Sequence, residues 1–232
     1  AQILEEYFAA KEPEQEVPVV SEVIDINHTK EYEDLTIHKV NEHTRAYIKI
    51  QDGCNQFCSY CIIPYTRGRI RSKNPEEVIE EVKNLAAQGY KEIVLTGIHL
   101  SSYGKDLGTV NLLDVIKRIQ QIEDVERIRL GSLEPRIITE EFVKELVKCD
   151  KVCPHFHLSL QSGCDQTLKR MNRKYTTEEY EEALNILRKY YEHPALTTDV
   201  IAGFVGETEE EFEKTRAVSY THLRAHETLS DL

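Results

Sequence analysis

Three cysteines stand close together as Cys54-Asn-Gln-Phe-Cys58-Ser-Tyr-Cys61. The C-x3-C-x2-C spacing lets three thiolates of one loop converge on one inorganic centre, and thiolate is the soft donor that zinc and iron–sulfur clusters take. The two centres use it differently. Structural zinc needs four donors closed round one ion, usually as two C-x2-C pairs. Cys58 and Cys61 form one such pair, and no fourth donor lies nearby in the chain. A 4Fe-4S cube presents four irons, so three cysteines leave one iron without a protein ligand. An open position of that kind is what a metal centre needs in order to bind a small molecule.

The elements that must position this loop alternate in type. Ala46, Ile48 and Ile50 alternate with Tyr47 and Lys49, so Arg45 to Ile50 reads as a half-buried strand that feeds directly into the cysteines. Asn74-Pro75-Glu76-Glu77 opens a helix with a cap and a proline at its first position, Val78, Val82, Leu85 and Ala86 line its apolar face, and Gly89 ends it. The pattern continues with strand Ile93 to Leu95, a helix marked by Leu112, Leu113, Ile116 and Ile119, and strand Arg127 to Leu130. A helix from Thr139, strand Phe156 to Leu160 and strand Thr197 to Ala202 follow. Thr176-x-x-Glu179 and Thr208-x-x-Glu211 are capping boxes for two further helices. Five strands alternating with five helices predict an α/β fold, a parallel sheet with helices outside. Without a glycine-rich dinucleotide turn after the first strand, a partial (β/α) barrel with its sixth strand missing is expected.

The 232 residues carry a net charge of -12, which argues against bulk electrostatic attraction to nucleic acid and leaves local basic patches open. Arg67, Arg69, Arg71 and Lys73 form such a patch just after the cysteines, with Tyr65, and predict contact with RNA phosphate. No apolar run is long enough to span a bilayer and no signal pattern opens the chain, so a cytoplasmic location with no membrane is expected. In a reducing compartment, Cys149, Cys153 and Cys164 read as buried or incidental thiols.

Residues 1–40 are expected to be the end of an upstream domain and a linker. Up to Thr36 they hold ten acidic residues against Lys11 and Lys30, with Pro13 and Pro18. The chain begins at Ala1 and its one methionine is Met171, which predicts an internal fragment. Residues 41–217 are expected to form the core. Val218 to Thr228 reads VSYTHLRAHET, a translation that resembles a transposon sequencing adapter, so 218–232 is expected to be a non-native tail.

C-x3-C-x2-C after the first strand of a barrel resembles the signature of the radical S-adenosylmethionine enzymes. The wider run IKIQDGCNQFCSYCIIPYTRGRIRS resembles the methylthiotransferases that modify tRNA. LTGIHLSSYG (Leu95 to Gly104) is most similar to the branch acting on N(6)-threonylcarbamoyladenosine beside the anticodon. This resemblance implies a 4Fe-4S cluster on Cys54, Cys58 and Cys61, with S-adenosylmethionine at the open iron. It implies S-adenosylmethionine contacts from Thr96, Gly97 and Ile98, from Ser159, Gln161 and Ser162, and from Gly203, Gly206 and Glu207. All of these lie where strands are expected to end, the face on which barrel sites form.

Ser132 and Glu134 match the family's SxEP-like pattern, although Glu134 also fits an exposed loop charge. Arg170 and Arg173 are candidates for a substrate carboxylate or phosphate, or for a solvated helix end. His99 and His157 read as ordinary core or surface histidines. The resemblance further implies the tRNA anticodon loop as substrate and an electron donor such as flavodoxin or ferredoxin. It implies a second 4Fe-4S cluster on three cysteines of an N-terminal domain, a cluster that residues 1–36, which have no cysteine, do not supply. Two alternatives stand beside this reading: methylthiolation of a ribosomal protein, and a non-catalytic zinc-stabilised binding module.

Overall fold

The computed structural model describes residues 25–32 and 44–222. The expected linker and the expected tail therefore lie largely outside the described residues. Strand β1 (Arg45–Asp52) turns Ala46, Ile48 and Ile50 into the core and Tyr47, Lys49 and Gln51 to the opposite face. It pairs in parallel with β3 (Glu92–Gly97), which pairs in parallel with β4 (Arg127–Leu130). A short β2 (Arg71–Ser72), which sequence reasoning did not anticipate, lies antiparallel along the end of β1. The sheet order is β2-β1-β3-β4, and β5 (His155–His157) and β6 (Ala195–Thr197) form a separate parallel pair. Isolated parallel bridges Ile128↔Val152 and Leu133↔Leu158 join that pair to β4, so the strands curve into a half-barrel.

The last two strands are shorter than expected, and β6 begins earlier. At their C-terminal ends the Thr198 hydroxyl interrupts the ladder: it accepts the Leu160 N–H at 2.9 Å and donates to the Leu158 carbonyl at 2.6 Å, taking positions that a backbone partner would fill. Pairing resumes beyond it, where Gln161 N–H donates to the Asp199 carbonyl at 2.9 Å.

The helices lie where the apolar spacing placed them. The short α1 (Ile63–Thr66) follows the cysteines, and α2 (Pro75–Ala87) is capped by Asn74. Helix α3 (Leu112–Ile119) is opened by an Asn111–Asp114 capping box, α4 (Glu140–Leu146) by Thr139, and α6 (Thr177–Tyr190) by the expected Thr176–Glu179 box. Helix α5 (Asp165–Arg170) and the short α1 are additions to the expected set. Helix α7 (Glu209–His222) runs through the first residues of the expected tail, and Val218 packs against the core from it. Val82, Ile116, Val143 and Leu187 bury their side chains completely against Ile48, Ile93, Ile128 and Phe156, so the core sits between the sheet and the helices. This non-directional burial supplies most of the stability.

The opposite face of the sheet is polar, and its charges are paired. Glu92 stands between its register partners Arg45 and Arg127, is nearly buried, and accepts from Arg127 Nε at 3.1 Å and Arg129 Nε at 2.9 Å. Burial works to raise its carboxyl pKa, but the hydrogen bonds from Arg129 and Arg127 and the surrounding positive charge outweigh it and hold the group below its ordinary 4.5. A carboxyl lowered by folding stabilises the native state above its unfolded pKa and loses that contribution as pH falls through the folded value. The Glu92→Gln variant is therefore expected to be less stable than the parent by about 1–3 kcal/mol at neutral pH. In denaturant titrations the difference should be constant above pH 4.5 and shrink in stronger acid.

Candidate metal centre

Where β1 ends, the chain is forced into a loop by Asp52 and Gly53. Asp52 is buried, accepts the Gly53 N–H at 2.8 Å through Oδ1, and meets Lys49 Nζ at 3.1 Å through Oδ2. Gly53 has φ +68, and a Cβ there would lie 1.8 Å from the Arg69 carbonyl oxygen, so the position requires glycine. The returning chain closes the loop, with Cys54 N–H donating to the Gly68 carbonyl at 3.0 Å. From the far side, Asn172 Nδ2 donates to the Phe57 carbonyl at 2.7 Å and holds Phe57 at φ 52. Ser59 bonds the carbonyls of Met171 and Arg170, at 3.0 Å through its N–H and 2.9 Å through its hydroxyl.

Cys54, Cys58 and Cys61 are all free thiols on this braced loop, the first two buried and Cys61 half-buried. Burial pushes the Cys54 thiol pKa up, and the neighbouring Cys58 and Cys61 add to the shift, while the Gln56 N–H and Arg173 oppose it. Gln56 N–H reaches Cys54 Sγ at 3.4 Å, and Arg173 Nη1 reaches Cys58 Sγ at 3.3 Å. Cys61 N–H donates to the Cys58 carbonyl at 3.0 Å, which folds the last two cysteines into one turn. Among the described residues, however, no three His, Cys, Asp or Glu side chains are gathered to hold a single metal ion.

The end of β3 lies against the loop's entry. Gln51 is fully buried and sits opposite Gly97, where a Cβ would come within 2.9 Å of its own Cβ. Its Nε2 donates to the carbonyls of Asp52 (2.6 Å) and Gly53 (2.8 Å), and its Oε1 accepts the His99 N–H at 2.6 Å. Thr96 Oγ1 donates to the Ile48 carbonyl at 3.1 Å, and Ile98 N–H donates to the Gln51 carbonyl at 3.4 Å.

A second polar group continues from there. His99 Nδ1 meets Ser102 Oγ at 2.6 Å, its Nε2 lies 3.4 Å from Glu134 Oε2, and Gln56 Nε2 donates to the same oxygen at 3.4 Å. Glu134 is buried and accepts from Arg136 Nε at 2.7 Å. Burial works to raise its pKa, but His99 and Arg136 keep it below the ordinary glutamate value. One network therefore ties the cysteine loop to the ends of β3 and β4.

The sequence profile of the radical SAM superfamily matches residues 48–218. The chain belongs to the radical SAM superfamily. Among curated proteins it is 45% identical over 208 residues to the threonylcarbamoyladenosine tRNA methylthiotransferase MtaB of Bacillus subtilis, covering 89% of this chain and 45% of that protein. It is 44% identical over 184 residues to the tRNA-2-methylthio-N(6)-dimethylallyladenosine synthase of Clostridium botulinum strain Hall, covering 79% and 41%. The chain thus spans less than half the length of these two relatives. Among solved structures, the radical S-adenosylmethionine methyltransferase TsrM of Kitasatospora setae superposes with a TM-score of 0.62 at 19% identity, over 76% of this chain and 34% of that one. Methylornithine synthase (PylB) superposes with 0.54 at 15% identity, over 76% and 50%. These likenesses establish the half-barrel fold.

A radical SAM chain implies a 4Fe-4S cluster and S-adenosylmethionine, and the donor set here fits such a cluster. Three free thiols share one rigid loop at the C-terminal end of the first strand, with N–H donors aimed at two of the sulfurs. In a cube each thiolate takes its own iron, so its ligands need not surround one point.

The sequence-predicted residues around the radical SAM loop divide. Thr96 and Gly97 end β3 and Ile98 follows them, while Ser159 and Gln161 lie just beyond β5, where Gln161 bridges in parallel to Val200. Ser162 is fully buried, and its hydroxyl meets Thr215 Oγ1 of α7 at 3.1 Å, so it holds the helix instead of facing a ligand. Glu207 folds the Gly203–Gly206 turn, accepting the N–H groups of Gly203 (2.6 Å) and Phe204 (3.2 Å). Arg170 is paired with Glu211.

The four expected RNA-facing cations also separate. Arg71 and Lys73 are buried, with Arg71 donating to the Arg67 carbonyl at 2.8 Å and Lys73 pairing with Glu81 at 2.8 Å. Arg67 and Arg69 are exposed, and Arg69 lies over the Phe57 ring. Sequence reasoning passed over Gln51 and Asn172, and it read His99 as an ordinary core or surface histidine. A polar residue near the end of a strand, two positions before Gly53-Cys54, was the available signal for Gln51, whereas the contacts of the other two are long-range.

The Gly53→Ala variant is expected to lose about 1–3 kcal/mol from the left-handed backbone alone, with the clash in addition. After anaerobic reconstitution it should retain far less iron than the parent, and elemental analysis beside a thermal melt checks both effects.

Proposed function

We propose that this chain is the radical SAM core of a tRNA methylthiotransferase, one that adds a methylthio group to carbon 2 of N(6)-threonylcarbamoyladenosine next to the anticodon. The carrying observation is the loop of three free thiols braced at the C-terminal end of β1, in a chain 45% identical to a curated protein named for that substrate. A relative named for dimethylallyladenosine is nearly as similar, at 44%, which makes that modified adenosine the second reading.

In this reading Cys54, Cys58 and Cys61 hold a 4Fe-4S cluster. When bound, the cluster and S-adenosylmethionine together supply a radical able to remove hydrogen from an unactivated carbon. The residues of the chain position and shield. Gln51 fixes the loop's entry against Gly97, so that backbone carbonyls at the end of β3 can meet an amino group without a side chain between. Ser159 and Gln161 present polar groups at the end of β5, and Gly203 and Gly206 bring backbone close to the same mouth. Tyr60 and Phe204 meet edge to face at 6.3 Å across it and help to exclude water.

Exposed Arg67 and Arg69 suit RNA phosphate. Residues 1–40 read as the end of an upstream domain that carries a second cluster, 41–217 as the core, and 218–232 as a non-native tail. A one-electron donor such as flavodoxin or ferredoxin completes the set, and a cytoplasmic location is in keeping with it.

Anaerobic reconstitution tests the reading. The chain is expected to take up about four irons and four sulfides, absorb broadly near 400 nm, and release 5′-deoxyadenosine from S-adenosylmethionine under reduction. Cys54→Ala, Cys58→Ala and Cys61→Ala should each abolish that release. This chain alone should form no methylthiolated tRNA. A colourless protein with one zinc per chain would overturn the reading in favour of a zinc-stabilised module.

A further inference from the structure

Arg173 stands half-buried between α5 and α6, against the cysteine loop. Its Nη1 donates to Cys58 Sγ at 3.3 Å, its Nε donates to the Tyr175 hydroxyl at 3.2 Å, and its plane lies over the Tyr175 ring at 4.8 Å. Tyr175 is itself buried, and its hydroxyl donates to the carbonyls of Ser159 (2.6 Å) and Leu160 (2.7 Å), so the stack is anchored to the end of β5. Neighbouring Arg170 is neutralised by Glu211, but among the described residues no carboxylate pairs with Arg173. The groups that face it are the Tyr175 and Tyr60 hydroxyls and the Cys58 sulfur. A guanidinium drawn partly out of water needs a counter-charge, and the Cys58 sulfur, a thiolate when it ligates a cluster, is the group in contact with it.

We propose that Arg173 is a positioning residue whose positive charge, delivered at the Cys58 sulfur, raises the reduction potential of the cluster held by Cys54, Cys58 and Cys61. The inference rests on the reading of those thiols as cluster ligands. One electron from an external reductant makes the cluster more negative by one charge. A fixed cation and an N–H donor at a ligand sulfur favour that more negative state, the same influence that charge and hydrogen bonding have on iron–sulfur potentials in general. The Tyr175 stack keeps the charge in place at little entropic cost, because the planar guanidinium is already oriented.

The test is a redox titration of the anaerobically reconstituted chain, with dithionite as the electron source, followed by electron paramagnetic resonance and by bleaching near 400 nm. Arg173→Gln keeps N–H donors and removes the charge, whereas Arg173→Lys keeps the charge. The expected result is wild-type iron content in R173Q with an equilibrium constant for one-electron reduction lower by roughly tenfold, equal to a potential about 59 mV more negative. R173K should stay closer to the parent than R173Q does. An unchanged potential in iron-replete R173Q overturns the proposal. If R173Q does not hold iron, a tenfold fall in R173K does so instead, and loss of iron from both variants leaves Arg173 a purely structural role and likewise overturns it. Failure of the parent chain to assemble any cluster would instead defeat the reading of the site, which separates the two outcomes.

Discussion

The Asp52 carboxylate accepts the Gly53 N–H with one oxygen and meets Lys49 with the other, while Arg67 and Arg71 stand 3.6 Å away. Everything at the mouth of the half-barrel depends on this buried charge being satisfied. A strand that simply continued would carry Cys54 away along its own axis. The left-handed Gly53 turns the chain instead, and Asp52 holds both the turn and the returning basic segment. Burial raises the Asp52 pKa, yet the Gly53 N–H and the Lys49 and Arg67 charges prevail and keep it lowered, so the anchor remains an anion through the neutral range.

That anchor explains why the basic run after the cysteines does two jobs. Half of it is internal wiring: Arg71 bonds the carbonyls of Arg67 and Arg69, and Lys73 pairs with Glu81. The other half, Arg67 and Arg69, remains at the surface beside exposed Ile62 and Tyr65. Counting charges in sequence overstates the surface potential of the patch, because a cation buried against a carboxylate adds little field outside the protein.

The division of labour across the sheet follows from burial. One face of each strand is occupied by the helices and is apolar throughout, as with Ile48, Ile93, Ile128 and Phe156. Chemistry is left to the other face and to the strand ends, where backbone groups lack ladder partners and bond side chains such as Gln51 and Thr198. Loops on a rigid scaffold are where reactive groups can be exposed without disturbing the core.

The local signals were legible because they act over a few residues. The alternation in β1, the caps at Asn74, Thr139, Thr176 and Thr208, and the cysteine spacing each reflect one turn of backbone or one loop, so the half-barrel and its thiol loop could be read in order along the chain. What tertiary structure decided was long-range. The contacts of Arg173 with Cys58 and of Asn172 with Phe57 each join positions 115 residues apart, and no local pattern encodes them. The same holds for the inward turn of Ser162 toward Thr215 and for the interruption of the β5–β6 ladder by the Thr198 hydroxyl. Residue type and spacing declare what a side chain can do. Which partner it meets is settled only when packing brings distant strands and helices together, because burial rewards any satisfied contact and the fold selects among them.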